Sequence, residues 1–370
     1  MKKNTLPHAV LGAILVFSVA FSTESSARRR KGRTKVVFKK KTDEVSIMTF
    51  NVENLFDTKH DKNKEDYTFL PKEQKQNQEH IDRCNKIEVE KWKKQCLEWD
   101  WSEKALKTKY QRLTQVLMQI DEGRGPDVVV LQEVENMNVL ESWRKKYLAK
   151  KGYSRAILLE GDDERGIDVA MLTKLPVSGT PVLHMIPFGG VDDKVKRDTR
   201  GILEVTLVLP DGAKLTVFGV HFPAPFHPVE LRTQALEFLQ KLLEQKGKTQ
   251  LVMAAGDFNI PGEEDKKNNV LDKYVRPYWL LAQDVCEGCV GTTHYAQKNS
   301  WSFLDMILFS KNMETSAWKM DPASVTVVRT AVEQRTVKGH PKSFALPEAT
   351  GVSDHWPLAL TLRLNSAIKP

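Results

Sequence analysis

Residues 250–259 read QLVMAAGDFN. Gln250–Ala255 is an apolar run of strand length, and Asp257 and Asn259 follow it at once with a carboxylate and an amide. The same ending recurs outward along the chain. Val45–Phe50 (VSIMTF) runs into Asn51, Asp127–Gln132 (DVVVLQ) into Glu133, and Lys214–Val220 into His221. Leu304–Ser310 carries Asp305, and a last strand, Pro357–Leu364, is preceded by Asp354 and His355. One polar residue at a strand end means little, because turns use them constantly. Six strand ends that each offer an oxygen or an imidazole imply convergence on one pocket at one edge of the sheets.

Ile167–Thr173 and Ile202–Leu209 read as further strands. Leu106, Tyr110, Leu113, Leu117 and Ile120 recur at helical spacing, as do Leu231, Ala235, Leu239 and Leu242. Strands and helices mixed along the whole length predict a layered α/β sandwich. There is no internal repeat and no natural break, so residues 45–370 are expected to form a single domain. Thr58–Ser102 stands apart. It is highly charged, carries Trp92, Trp99 and Trp101, and reads as a partly helical insertion over one edge of the body, its tryptophans used for packing.

Charge does not name the partner directly. The 370 residues hold 56 Lys and Arg against 48 Asp and Glu, a net of +8. Residues 1–41 account for 11 of the basic residues and one acid, which leaves the body with 45 against 47, a net of −2. Met1–Ala27 reads as an export signal: Lys2 and Lys3, the apolar run Ala9–Phe21, then small residues up to Ala27. A secreted or periplasmic protein is expected, with no membrane span in the mature chain. Residues 28–44 form a basic arm expected to be disordered, since nine of the fourteen residues Arg28–Lys41 are Lys or Arg. The arm is either a solvated spacer or a tether to nucleic acid or another anionic surface. Four cysteines suit export, and neighbour pairing, Cys84 with Cys96 and Cys286 with Cys289, is the simplest connectivity.

The donor types narrow the chemistry. Asn51, Glu133, Asp257, Asn259 and Asp354 are hard oxygen donors, suited to Mg²⁺, Mn²⁺ or Ca²⁺ and not to a thiolate metal. Asp305 interrupts an apolar stretch, and a carboxylate there needs a partner, for which a histidine is the natural choice. No phosphate-binding glycine loop of the G-x-x-x-x-G-K-[ST] type and no G-x-S-x-G elbow is present in the sequence. Attack of water on a phosphoester fits this set.

Taken together, FNVENLF (50–56), LQEVEN (131–136), RGIDVAML (165–172), GVHFPAP (219–225), GDFN (256–259), SFLDMILFS (302–310) and SDHWP (353–357) resemble the endonuclease/exonuclease/phosphatase superfamily, in its order and rough spacing. The ENLFD and RGIDVA forms look most like its bacterial secreted members. The resemblance covers about Val45–Leu364 apart from the insertion. It implies an α/β four-layer sandwich of two packed mixed β-sheets flanked by helices, with the site at one edge. It implies metal contacts at Asn51, Glu133 and Asp354, His355 as general base and Asp305 as its orienting carboxylate. Asp257 and Asn259 would hold the attacking water and the phosphate, and His221 would be a phosphate ligand or general acid. Arg200 resembles a phosphate-contacting arginine of the deoxyribonuclease branch. The stretch EGDDERGIDVAML lacks the tyrosine of the abasic-site enzymes, and Asp163, Arg165 and Asp168 are expected near the site instead. The resemblance implies a Mg²⁺-dependent phosphodiester hydrolase. DNA is the expected substrate and a monomer the expected state. A lipid or small phosphoester, such as sphingomyelin or an inositol phosphate, is the competing substrate class. A non-catalytic binding module is disfavoured, because the Asp of GDFN and the His of SDH are both present.

Overall fold

The computed structural model describes residues 42–192 and 199–365. The export segment Met1–Ala27 and the basic stretch Arg28–Lys41 lie outside the described residues. In chain order the first strands are β1 (Glu44–Leu55), β2 (Val128–Val134), β3 (Arg155–Leu158), β4 (Asp168–Thr173), β5 (Val182–His184), β6 (Ile202–Val208), β7 (Lys214–His221) and β8 (Leu251–Asp257). There follow β9 (Trp279–Leu281), β10 (Thr293–Tyr295), β11 (Ser300–Ser302), β12 (Asp305–Ser310), β13 (Trp318–Met320), β14 (Thr326–Val327) and β15 (Leu358–Leu364). The helices are α1 (Gln78–Asn85), α2 (Glu90–Glu98), α3 (Glu103–Leu117), α4 (Met137–Trp143), α5 (Val229–Glu244) and α6 (Gly262–Asn268).

One sheet has the order β13-β15-β1-β2-β4-β3, with β14 also paired to β15, and the other has the order β5-β6-β7-β8-β12-β9. Each is mixed, because β1–β2 and β7–β8 are parallel while the pairs around them are antiparallel. Side chains that alternate along each strand divide the apolar residues into layers. Val45, Ile47, Val128 and Val130 meet Val205, Val217, Met253 and Ile307 in the core between the sheets. Met48, Phe50, Val129 and Leu131 point the other way, onto Leu106, Tyr110 and Leu113 of α3 and Leu140 and Trp143 of α4. On the far side Phe218, Val220, Val252 and Ala254 pack on Leu231, Ala235, Leu239 and Leu242 of α5. This is the four-layer α/β sandwich of two packed mixed sheets flanked by helices. Each fully buried Leu or Val side chain in it contributes about 1.5–3 kcal/mol.

Register brings the polar strand ends to one edge. His221 of β7 lies opposite Asp257 of β8, and Asp305 of antiparallel β12 lies opposite Asp257 from the other side. Asn51 lies opposite Gln132, one residue before Glu133. Leu358 pairs with Thr49 near the end of the strand run, so the residues just before β15, Asp354 and His355, arrive beside Asn51. Gly256 permits the close approach of β7 and β8 here: with φ of +153°, a Cβ on it would sit 2.0 Å from the Val220 carbonyl oxygen.

Three details depart from the sequence reading. Asp305 opens β12 and is not interior to the strand. β1 runs on to Leu55 through an irregular stretch in which Glu53 and Asn54 have positive φ. The short strands β3, β5, β9–β11, β13 and β14, of two to four residues, are too brief to show a period in sequence. The Thr58–Ser102 segment is partly helical, carrying α1 and α2, which the Cys84–Cys96 disulfide joins. Trp101 anchors it in a cluster with Phe56, Ile167 and Phe344, its indole donating to the Phe56 carbonyl at 3.1 Å. Cys286 and Cys289 form the second disulfide.

Candidate active site

The strand ends converge on one constellation. The Asn51 amide donates to Asp257 Oδ2 at 3.1 Å and to Glu133 Oε1 at 3.4 Å. Glu133 also accepts the Asn54 N–H at 3.0 Å. Glu133 has φ of 64°, in the left-handed region, beside a register shift in β2. That bulge re-aims the side chain into the pocket in place of its pleat position, a strained geometry held by the sheet around it. His355 Nδ1 bonds Asp305 Oδ2 at 2.7 Å, and its Nε2 lies 3.9 Å from Asp257 Oδ2. His221 Nε2 lies 3.8 Å from that same oxygen. Asn259 donates its backbone N–H to Asp257 Oδ1 at 2.9 Å and its amide to the Phe222 carbonyl at 3.0 Å.

A second set of contacts holds these segments together. The Ser353 hydroxyl donates to the Asn51 carbonyl at 2.7 Å and accepts the His355 N–H at 3.1 Å. The Asp305 N–H donates to Thr292 Oγ1 at 3.2 Å. Lys109, buried on α3, donates to the carbonyls of Glu53 at 2.9 Å and Val352 at 2.7 Å. It thus ties the end of β1 to the turn that carries Asp354 and His355. A charged donor on two buried carbonyls is a strong tie, worth more than neutral hydrogen bonds.

The electrostatics follow from crowding of acids in a site whose floor is largely buried. Burial raises the Asp257 carboxyl, the His355 imidazole pulls it back, and Asp305 adds to the rise. Desolvation raises Asp354, His355 opposes it, and repulsion from Glu133 adds. Burial works against a charged His355, yet Asp305, Asp257 and Asp354 outweigh it and hold the ring well above its usual value. His221 goes the other way: burial and then Arg200, Arg165 and His355 hold it well below, so it is neutral. Its Nδ1 and Asp305 Oδ1 are buried without a hydrogen-bond partner among the described residues. The acids repel one another in the absence of positive charge, and Asp257, Asp305 and His355 present ligand atoms close enough to share one ion. Apart from that trio, Glu133, Asn51 and Asp354 offer neighbouring hard oxygen donors, the type that would hold a divalent cation.

Arg200 is buried and pairs with Asp163 at 3.0 Å. Asp163 in turn accepts the Arg165 N–H at 3.0 Å and the Ile167 N–H at 3.3 Å, which shapes the turn before β4. Arg165, Arg200, His221, Asp257, Asn259, Glu133, Asp354 and His355 all line one pocket. Asp168 is buried behind this turn, accepts the Gly161 N–H at 2.9 Å and lies close enough to Asp163 to feel its charge. Its carboxyl is raised to about 7 by burial, and its role in the structure is to fix the turn before β4.

The sequence profile of the endonuclease/exonuclease/phosphatase family matches residues 79–364. The chain belongs to this family. It is accordingly an enzyme of the phosphoester hydrolase class, and family members depend on divalent metal. No curated protein sequence matches the chain. Among solved structures, D. rerio TDP2 complexed with a single-strand DNA product matches at a TM-score of 0.54 and 15% identity, over 86% of this chain and 99% of that one. The Beutenbergia cavernae endonuclease/exonuclease/phosphatase protein matches at 0.53 and 16%, over 88% and 72%. The mannosyl-6-phosphatase of Bacteroides thetaiotaomicron matches at 0.52 and 15%, over 86% and 99%. At these identities the likeness shows the fold.

Lys109, Ser353 and Phe226 carry no assignment from the sequence, and Trp92, expected to serve packing with Trp99 and Trp101, lines the pocket instead. Ser353 stands inside the SDH motif and was within reach of it. Lys109 sits at a buried position of an amphipathic helix, where a lysine is the exception, and that exception was its signal. Trp92 and Phe226 reach the pocket only through tertiary placement.

Proposed function

We propose that this chain is an exported, Mg²⁺-dependent phosphodiester hydrolase acting on DNA. The observation that carries the reading is the His355–Asp305 pair set beside Asp257, Glu133 and Asn51, with Arg165 and Arg200 in the same pocket. A cation held by Glu133, Asn51 and Asp354 would neutralise charge that develops on a phosphoryl oxygen. Asp305 holds the Nδ1 side of His355, which fixes the tautomer and leaves Nε2 to take the proton of the attacking water. His355 is free to accept that proton once positive charge at Glu133 and Asp354 offsets the acids around it. Asn259 and neutral His221 offer N–H groups to phosphate oxygens, and Asp257, between the two imidazoles, orients both. Positioning and electrostatics carry the reaction, as displacement at phosphorus requires little covalent help from protein.

Export is supported by the Met1–Ala27 pattern and by the formation of both disulfides. DNA is favoured by the two pocket arginines, by the basic stretch Arg28–Lys41 and by the fold shared with a TDP2 that holds a DNA product. A sugar phosphate or other small phosphoester is the second reading, since a mannosyl-6-phosphatase shares the fold. One panel separates them: mature protein with Mg²⁺, Mn²⁺ or Ca²⁺ and an EDTA control, on plasmid, single-stranded DNA, RNA, sphingomyelin, inositol phosphates and mannose 6-phosphate. Metal-dependent cleavage of DNA is expected. Turnover of a lipid or small phosphoester with nucleic acids left intact would reverse the reading.

A further inference from the structure

The pocket has two unlike walls. Its volume is about 640 Å³, and its floor is the strand-end cluster just described. The rest of its lining includes Tyr67, Phe69, Ile87 and Trp92 from the Thr58–Ser102 segment, with Phe226 from the loop after β7. Trp92 is 55% exposed and Phe226 76%, whereas Trp101 of the same segment is 1% exposed. Trp101 does the packing. Trp92 and Phe226 leave aromatic area exposed within the pocket, where a ligand can reach it.

The wall is held rigidly. The Cys84–Cys96 disulfide joins α1 to α2, which bears Trp92, and the buried Lys75 ammonium donates to the carbonyls of Thr68 at 2.8 Å and Cys96 at 3.1 Å. Arg83 lies over the Tyr67 ring at 4.3 Å and pairs with Glu65 at 3.1 Å. Polar groups therefore alternate with rings along this wall: Glu65, Thr68, Arg83 and Gln95 all face the pocket. An acyl chain would want a continuous apolar face. Rings set among hydrogen-bonding groups, with Arg165 and Arg200 nearby for phosphate, match a nucleotide.

We propose that this aromatic wall is a nucleobase subsite, and that the enzyme takes its scissile phosphate from an unpaired strand. The proposal rests on the DNA reading above. A base within a duplex offers its edge to the groove and hides its face in the stack. Trp92 and Phe226 can stack only on a base that has left the pair.

The test is a kinetic cycle on a labelled single-stranded oligonucleotide, its blunt duplex, and an all-abasic oligomer of the same length. Wild type, Trp92→Ala and Phe226→Ala are compared. Both side chains are largely exposed, so neither substitution threatens the fold. The single strand should be cleaved with higher kcat/KM than the duplex. Trp92→Ala should raise KM for the single strand by roughly tenfold with kcat little changed, the size of one lost base–aromatic stack. Phe226→Ala should raise KM in the same direction. On the abasic oligomer wild type should already show the raised KM, and Trp92→Ala should add little. Equal or better cleavage of the duplex overturns the proposal, as does wild-type KM in both variants. A raised KM for sphingomyelin vesicles alone would assign the wall to lipid and overturn it too. If bis(p-nitrophenyl) phosphate is hydrolysed but no oligonucleotide is cleaved, the DNA reading falls along with it. Oligonucleotide cleavage with unaltered KM removes only the subsite.

Discussion

The floor and the aromatic wall of the pocket are built in different ways. The floor is made of strand ends. Asn51, Glu133, His221, Asp257 and Asp305 are placed by ladder register between strands whose interiors are fully buried. The wall, apart from Phe226, belongs to a charged segment, fixed to the body by Trp101 and closed on itself by a disulfide. The sheets hold the floor to the geometry that chemistry requires, and the wall is free to differ without disturbing it. The contrast predicts that changes in the floor act on rate, and changes in the wall act on substrate choice and local stability.

The largest effects should come from the floor. His355→Ala and Glu133→Ala should each lower kcat by about 10²–10⁴-fold or more, read by single-turnover kinetics under saturating Mg²⁺. Glu133→Ala should leave the melting temperature close to wild type, since it removes a negative charge from a site crowded with acids, whereas His355→Ala should lower it, since Asp305 is left buried without its partner. Asp305→Asn keeps the shape but loses the carboxylate that orients His355, and should cost roughly 10–100-fold in rate. In the wall, Cys84→Ser with Cys96→Ser should cost about 3 kcal/mol for a loop of this length, expressed as early protease cleavage between α1 and α2. Cleavage that begins elsewhere would break the distinction between a strand-held floor and a separately stapled wall. Trp92→Ala should act on KM and spare kcat, the reverse of the floor variants. The smallest effect belongs outside both regions: deleting Arg28–Lys41 should flatten the salt dependence of DNA binding and spare the chemistry. An unchanged slope would make that stretch a spacer.

The same contrast explains what the sequence disclosed. The strands of the floor were legible because apolar runs such as VSIMTF and LVMAAG end abruptly in polar residues, and burial on both faces enforces that pattern. Asp305 announced its histidine because a carboxylate within SFLDMILFS demands a partner, and the structure supplies His355 at 2.7 Å. Asp168 carries the same kind of signal, an acid at the head of an apolar strand, yet it fixes a turn. Local pattern cannot separate the two, because the difference lies in what stands across the gap. Trp92, Trp99 and Trp101 look alike in sequence, and packing claims Trp101 while Trp92 faces the pocket. Lys109 reaches two carbonyls some 56 and 243 positions away along the chain, a relation that no local window contains.

The central claim is that His355, oriented by Asp305, activates water at a metal-dependent phosphodiester site. Its most direct test is the rate of DNA cleavage by wild type and His355→Ala, side by side, with Mg²⁺ and with EDTA, together with their melting temperatures. The account predicts metal-dependent cleavage by wild type and a loss of at least about a hundredfold in the variant, measured at a temperature well below both melting points. Cleavage by His355→Ala near the wild-type rate, or wild-type cleavage that persists in EDTA, would contradict it.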